Sequence, residues 1–431
     1  MKLLIFIAAA LLILADSHYD VINEPLSTGR WLPLFLFVLI GIGGAARQRS
    51  HIRNPRLFDV GIIAWLTFAF ATASYSVSPF LTLQRTSTLL LMYVAVFWVI
   101  WSYAEKRGDQ NVVDALLSAG LTFLVASWVL MPIFEGMRQP DGRFRGLMEN
   151  PNSVGLLTAL LLPLALFRSL SRRGLLDHLL LALMLLSLAL SGNRSGMIAG
   201  FVGAMFVLWR ARSRMRWVVG AAIIVIAMSF YTDPFLPESW YDNSYVRPES
   251  IATGSGRVEV WPIAMEIVEE RPLMGFGFGT EELLLESHGF DASSFLEHRG
   301  AYFHNSYLGL VAQTGYIGAT AFFLPLFVFG VWQFWKSRQE TQLTLTPALQ
   351  GTLLCGLILC TAESWVYSMG NPFAFPFWVS VMLLMRRPHL ERKRLPSRPL
   401  GFPSFSLRRP MINVPTSPLR LSRSKDGVQT S

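Results

Sequence analysis

The chain has 431 residues, of which 52% are hydrophobic and 15% charged, whereas about a quarter of the residues of an ordinary soluble domain are charged. That balance excludes a soluble globular enzyme and makes the bilayer the expected solvent. The net charge of +9 sits in short loops and one tail, not on an aromatic-rich soluble face, so nucleic-acid binding is excluded as well.

Apolar runs predict an all-α polytopic membrane protein with about 12 transmembrane helices, because crossing ~30 Å of hydrocarbon takes about 20 helical residues and lipid offers no partner for an open backbone. In chain order the expected spans are 3–15, 31–46, 57–74, 86–103, 112–134, 153–167, 175–190, 196–209, 217–231, 305–335, 347–367 and 371–385. No small-residue cleavage site follows the first run before Asp16 and His18, so it reads as an uncleaved helix and not as a signal peptide. The run 305–335 is long enough that it is expected either to extend past the bilayer or to kink near Pro325. Cys355 and Cys360 lie in one run, five residues apart on different helix faces, a spacing that supports neither a disulfide nor a metal pair.

Lysine and arginine are retained in cytoplasmic loops. With Met1 inside, 27 of the 37 basic residues fall on one side, in loops such as 47–56, 168–174 and 210–216 and in the tail 386–431. The expected organisation is N-terminal spans over 1–142, a second membrane region over 143–385 containing one large periplasmic loop (232–303) with short helices, and a basic disordered cytoplasmic tail over 386–431. Both termini are then cytoplasmic, in an inner membrane.

The ten remaining basic residues stand against the topology bias: Arg30, Arg85, Arg138, Arg143, Arg145, Arg194, Arg247, Arg257, Arg271 and Arg299. Arginine suits phosphate because its planar fork donates paired hydrogen bonds and keeps its charge. A cluster at the outer surface therefore points to an anionic ligand, against the plain alternative of interfacial snorkelling. Arg194 lies in SGNRSG, a polar break too short to carry an arginine far from the membrane, and is expected in a hydrated cavity. Arg143 and Arg145 precede Asn150-Pro151-Asn152, where an asparagine cap and a first-turn proline open a helix whose N-terminus is a natural anion site.

In the outer loop, Arg257 opens an amphipathic helix expected to lie on the membrane, with a kink at Pro262. The stretch RPLMGFGFGTEE reads as a turn, not a dinucleotide loop, with a helix starting at Thr280, Glu281 and Glu282. His288, His298 and His304 are spaced too irregularly for zinc, so no metal and no cofactor is expected. His304, at the head of HNSYLGL, is the candidate for acid–base work.

In this order, an NPN helix start, SGNRSG, GSGRVEVW, RPLMGFGFG and HNSYLGLVAQTGYIG, the chain resembles the O-antigen ligase and O-antigen polymerase superfamily of bacterial integral-membrane glycan transferases over roughly Arg143 to Gly318. The resemblance implies transfer of a glycan from an undecaprenyl-diphosphate carrier to an acceptor on the periplasmic side, without metal. It makes His304 and Arg257 the catalytic candidates and Arg194, Arg143, Arg145 and Asn305 the substrate-binding ones. The acceptor would be lipid A core or a protein in a ligase and the growing glycan in a polymerase, and the residues leave that choice open. A transporter of the same lipid-linked glycans is the rival from another class, and it would gain if Glu363 lay at mid-membrane depth. A structural subunit without an active site is the third.

Overall fold

The computed structural model describes residues 1–46, 55–211, 217, 221, 257–290, 303–336 and 344–386. These residues are helical apart from turns and two isolated β-bridges. The helices are α1 (Lys2–Leu14), α2 (Asp20–Gly29), α3 (Leu32–Ala46), α4 (Leu57–Ala71), α5 (Pro79–Val94), α6 (Trp101–Arg107), α7 (Asp109–Leu130), α8 (Pro151–Arg172), α9 (Leu175–Leu190), α10 (Arg194–Arg210), α11 (Arg257–Glu270), α12 (Glu281–Ser287), α13 (Ser306–Lys336), α14 (Leu345–Leu359) and α15 (Ala374–Arg386). A π-helical stretch, Ala95–Ile100, makes α5 and α6 continuous.

Among the described residues, six continuous helical stretches are long and apolar enough to cross a membrane: Asp20–Ala46, Leu57–Ser74, Pro79–Arg107, Asp109–Leu130, Pro151–Arg172 and Ser306–Lys336. Shorter apolar helices are α1, α9, α14 and α15. Eleven of the expected spans correspond to helices, though only these six stretches have the length to cross, and apart from residues 217, 221 and 386 the expected span 217–231 and the tail lie outside the described residues.

Two expectations are corrected. The break in α13 falls at Gly315, with φ 65° and ψ 179°, and not at Pro325. Only glycine adopts this conformation without strain, and the opened turn lets the carbonyls of Ala312 and Gln313 accept the amides of Phe276 (3.3 Å) and Gly277 (2.8 Å). The expected span 347–367 ends as a helix at Leu359, because the Cys360 carbonyl turns to accept the Ser306 amide at 2.8 Å.

The helix ends sort into two groups. At one end the chain is cross-tied between elements: the Glu149 amide donates to the Asp16 carbonyl (2.7 Å) and the Phe144 amide to the Leu190 carbonyl (2.8 Å). There too, Asn193 Nδ2 donates to the Asn152 carbonyl (3.0 Å) and Arg30 Nη1 to the Gly370 carbonyl (3.0 Å). At the opposite end lie the ion pairs Arg168–Asp177 (2.6 Å), Arg172–Asp114 (2.6 Å) and Arg386–Asp109 (3.0 Å), with Arg56 donating to the Met385 carbonyl. The arginines read from the sequence as loop charges thus gather away from the first end.

Between the ends, α8, α10 and α14 pack through small residues, as membrane helices do where hydrophobic collapse gives little drive. Gly203 of α10 and Gly351 of α14 touch so closely that a Cβ on either would sit 2.7 or 2.6 Å from the other's carbonyl oxygen. The apolar stripe of α11, expected to rest on the membrane, is spent within the protein: Val260, Ala264, Ile267 and Val268 are buried with Leu284, Leu285, Phe303 and Ala312. Each large apolar side chain buried this way contributes about 1.5–3 kcal/mol, which holds α11 and α12 against the start of α13.

Candidate active site

The first end encloses a cavity of about 780 Å3, walled by the end of α1, by α2 and the Arg30-Trp31 link that follows it, by the first halves of α5 and α8, by the loop 278–282, by His304, and by the loop 363–373. Its charged lining comprises Asp16, Arg30, Arg85, Glu149, Glu281, Glu282, His304 and Glu363.

Three local decisions build the wall that matters. The first is the GFGFG turn. Gly275, Gly277 and Gly279 have φ of 66°, 110° and 85°, the left-handed region that the alternation of glycine with phenylalanine makes accessible. Phe278 then points inward, edge-on to Trp65 with centroids 5.1 Å apart, its amide donating to Thr72 Oγ1 at 3.1 Å. The second is the cap of α13. Asn305 Oδ1 accepts the amides of Tyr307 (3.0 Å) and Leu308 (3.1 Å), which satisfies donors that a helix start leaves open. The third is the non-helical segment after α14, which carries Glu363 and Ser364 against the start of α13: the Asn305 amide donates to Ser364 Oγ (3.2 Å) and Ser306 Oγ to the Glu363 carbonyl (2.6 Å).

These contacts set His304 opposite Glu363, with His304 Nδ1 and Glu363 Oε2 2.7 Å apart and side chains 22% and 18% exposed. His304 has φ 51°, a conformation that costs a non-glycine residue about 1–3 kcal/mol and gathers at functional sites. With Nδ1–H donating to the carboxylate, the proton-accepting atom of the neutral ring is Nε2. A carboxylate, a histidine and a proton-bearing substrate in sequence form the arrangement of a general base whose charged form is stabilised from behind.

Behind the pair sits Glu281, fully buried at the start of α12. Oε1 accepts from the Phe303 amide (2.7 Å) and Ser364 Oγ (2.6 Å), and Oε2 from Tyr367 Oη (2.9 Å) and Gln313 Nε2 (3.1 Å). Burial pushes this carboxyl above the ordinary range, opposed by its hydrogen bonds from Ser364, Phe303 and Tyr367 and by the nearby His304. Burial likewise raises the Glu282 carboxyl, with Arg85 pulling it back down. Burial and the neighbouring Glu281 carboxylate hold the Tyr367 phenol well above its usual value.

The sequence candidates fall in different places. His304 is on the cavity wall. Asn305 is the cap of α13. Arg143 is 3% exposed and fully engaged, to Asp141 Oδ2 (2.7 Å), Gln139 Oε1 (3.0 Å) and Asn152 Oδ1 (3.4 Å). Arg145 donates from Nε to the Gly136 carbonyl at 2.5 Å. Neither lines the cavity. As expected, Asn150 caps α8, accepting the Ser153 amide at 2.9 Å, with Pro151 in the first turn. Arg194 is the first residue of α10, half-buried, one residue from the Asn193 cap. Arg257 opens α11, and its side chain lies outside the described residues, as does His298. His288 pairs with Glu270 (3.1 Å) and so answers to a different carboxylate from His304. Among the described residues no three His, Cys, Asp or Glu side chains gather as a metal site.

Two of the ten outer arginines, Arg30 and Arg85, do reach the cavity. Arg85 passes beside Gly279, faces Glu282 electrostatically and makes no hydrogen bond from its guanidinium to a described residue. Glu281 carried no sequence signal for function, reading as an ordinary acidic helix start, and Glu363 stood out only as a charge in an apolar run whose depth bore on the transporter reading.

A histidine–carboxylate pair and two arginines thus line one cavity at the ends of a bundle of apolar helices. Residues 179–323 match the family described as O-antigen ligase. The match covers about a third of the chain. It supports a membrane protein of the glycan-transferring O-antigen ligase and polymerase type. The O-antigen ligase match spans α9 to the middle of α13 and so includes Arg194, the GFGFG turn, Glu281 and His304, while Arg30, Arg85 and Glu363 lie outside it. No curated protein sequence matches the chain.

Proposed function

We propose that the protein transfers a glycan from an undecaprenyl-diphosphate carrier to an acceptor hydroxyl, in lipopolysaccharide or surface-polysaccharide assembly, on the periplasmic face of an inner membrane. The observation that carries this reading is the His304–Glu363 pair at 2.7 Å on the wall of a cavity that also holds Arg30 and Arg85. The cavity lies at the helix ends remote from Arg168, Arg172 and Arg386, and the retention of basic residues in the cytoplasm supports an outward-facing site.

In the reaction, His304 Nε2 takes the proton of the acceptor hydroxyl while its oxygen attacks the anomeric carbon of the carrier-linked sugar. The bond from that carbon to the diphosphate oxygen breaks, and the electron pair leaves with the diphosphate. Glu363 stabilises the imidazolium as it forms. Arginines placed where the leaving charge develops serve in the role a metal often fills, and we assign this to Arg30 and Arg85, with Arg194 and Arg257 as further donors to the carrier. Arg143 and Arg145 we assign to holding the 131–150 segment, and Asn305 to orienting His304 through the α13 cap.

The transporter reading loses support because Glu363 is not a mid-helix charge; it lies past the end of α14, paired with His304. The test is transfer from purified undecaprenyl-diphosphate glycan in detergent, with lipid A core and a second glycan as acceptors. Product from wild type and none from His304→Ala is expected, and the acceptor used distinguishes ligase from polymerase. No product from folded wild type with either acceptor would overturn the transferase reading; equal product from both proteins would remove His304 from it.

A further inference from the structure

The two sides of the His304–Glu363 pair come from segments 59 residues apart in sequence, and neither side is helical at the point of contact. A loop-to-loop contact of this kind drifts unless something else fixes both chains. One carboxylate touches both. Glu281 Oε1 accepts the amide of Phe303, the residue before His304, and the hydroxyl of Ser364, the residue after Glu363. Ser364 Oγ in turn accepts the amide of Asn305, the residue after His304. The amides on either side of His304 therefore end on one Glu281–Ser364 unit, which is what holds the left-handed His304 backbone in place. Oε2 ties the unit to Gln313 of α13 and to Tyr367, and Gln313 Oε1 also accepts the Gly279 amide of the GFGFG turn at 2.7 Å.

We propose that Glu281 is the positioning residue of the site, a buried carboxyl group whose two oxygens set the distance and angle between His304 and Glu363. A carboxylate offers about four acceptor positions and no donor, and four donors, from Phe303, Gln313, Ser364 and Tyr367, occupy them. Glutamine is the discriminating substitution, because it keeps the volume but turns two hydrogens against groups that are themselves donors. Aspartate keeps the charge but shortens the reach, so it satisfies one oxygen's partners at the expense of the other's. The assignment rests on the transferase reading only where activity is the readout.

The test uses the full-length protein in detergent and two measurements. The first is the steady-state split. Glu281→Gln and Ser364→Ala are expected to lower kcat on the order of 100-fold, the scale of a misplacement near 1 Å, with donor and acceptor KM within about threefold of wild type. Glu281→Asp should recover part of that loss. The second measurement is the ring resonance of His304 in protein labelled at histidine Cε1, assigned by its disappearance in His304→Ala. In wild type it should be a single environment that shifts when Glu363 is changed to Gln; in Glu281→Gln and Ser364→Ala it should become heterogeneous and lose its response to Glu363. A wild-type kcat in both variants, or an unchanged His304 resonance, overturns the proposal. If wild type shows no transfer but the resonance behaves as described, the positioning role stands and the transferase reading falls. Should Glu281→Gln fail to fold, Ser364→Ala, which removes one hydroxyl at the same junction, carries both measurements.

Discussion

Replacing Glu363 by glutamine tests the chemistry of the site most directly, because the amide keeps the volume and an oxygen that can accept from His304 Nδ1 while removing the charge. In the resting enzyme this contact joins a neutral ring to a carboxylate; in the transition state it joins an imidazolium to the same carboxylate, and only the difference between the two affects the rate. A hydrogen bond to a charged group contributes about 1.5–3 kcal/mol, against about 1 kcal/mol for a neutral one. At 2.7 Å, with both side chains less than a quarter exposed, solvent screening removes little of that. The difference, about 0.5–2 kcal/mol, corresponds to a fall in kcat of roughly 2- to 30-fold. Initial rates at saturating donor, with products separated by electrophoresis, measure it, and acceptor KM should hold within about twofold. If Glu363→Gln turns over at the wild-type rate while His304→Ala is inactive, the carboxylate does not stabilise the imidazolium and Glu363 is a packing partner only.

The two classes of arginine should separate. Arg85→Ala and Arg30→Ala are expected to lower kcat/KM for the lipid-linked donor by roughly 10- to 150-fold, the worth of a charged hydrogen bond, with lysine rescuing poorly for want of a paired fork. Arg143→Ala should instead lower the thermal midpoint of the protein in detergent, since it strips donors from Asp141 and Gln139, and leave donor KM unchanged; a donor defect without a stability defect would reverse that assignment. Gly315→Ala places a Cβ against the Leu273 backbone at a φ that alanine resists, and should cost upwards of about 1–3 kcal/mol, read as a lower melting temperature or loss of folded yield. His18 supplies the pH dependence of stability. Burial first, and the nearby Arg145 second, hold its ring below the ordinary 6.5, against its bond to the Met148 carbonyl. The unfolded chain thus binds more protons, so this stability is present above about pH 6.5 and is lost as the pH falls below it. Melting temperature followed from pH 7.5 down to 5.5 should show that decline, and His18→Asn should flatten it; an unchanged slope in the variant would refute the assignment.

Much of the architecture is settled by short-range rules acting along the chain. Apolar run length is a local quantity, so eleven of the expected spans match helices. The Asn150-Pro151 helix start, the turn character of GFGFG and the start of α12 after Thr280 follow from backbone chemistry that needs no distant partner. His304 was visible for a similar reason, as a titratable group at the head of an apolar helix. Three-dimensional contact decided the rest. Gly315 and not Pro325 breaks α13 because the GFGFG turn comes back to take the carbonyls that the break releases, a demand that no window of α13 sequence contains. Arg143 is enclosed by Asp141, Gln139 and Asn152 while Arg85 faces the cavity, although both read alike as arginines at the outer ends of spans. Glu281 was unremarkable in sequence, and Glu363 drew notice only for its depth, because their roles are relations between residues 281, 303, 304, 363 and 364, brought together from far apart along the chain. A carboxylate's function depends on the donors and bases that folding brings to it, and hydropathy records only whether it can sit near the membrane.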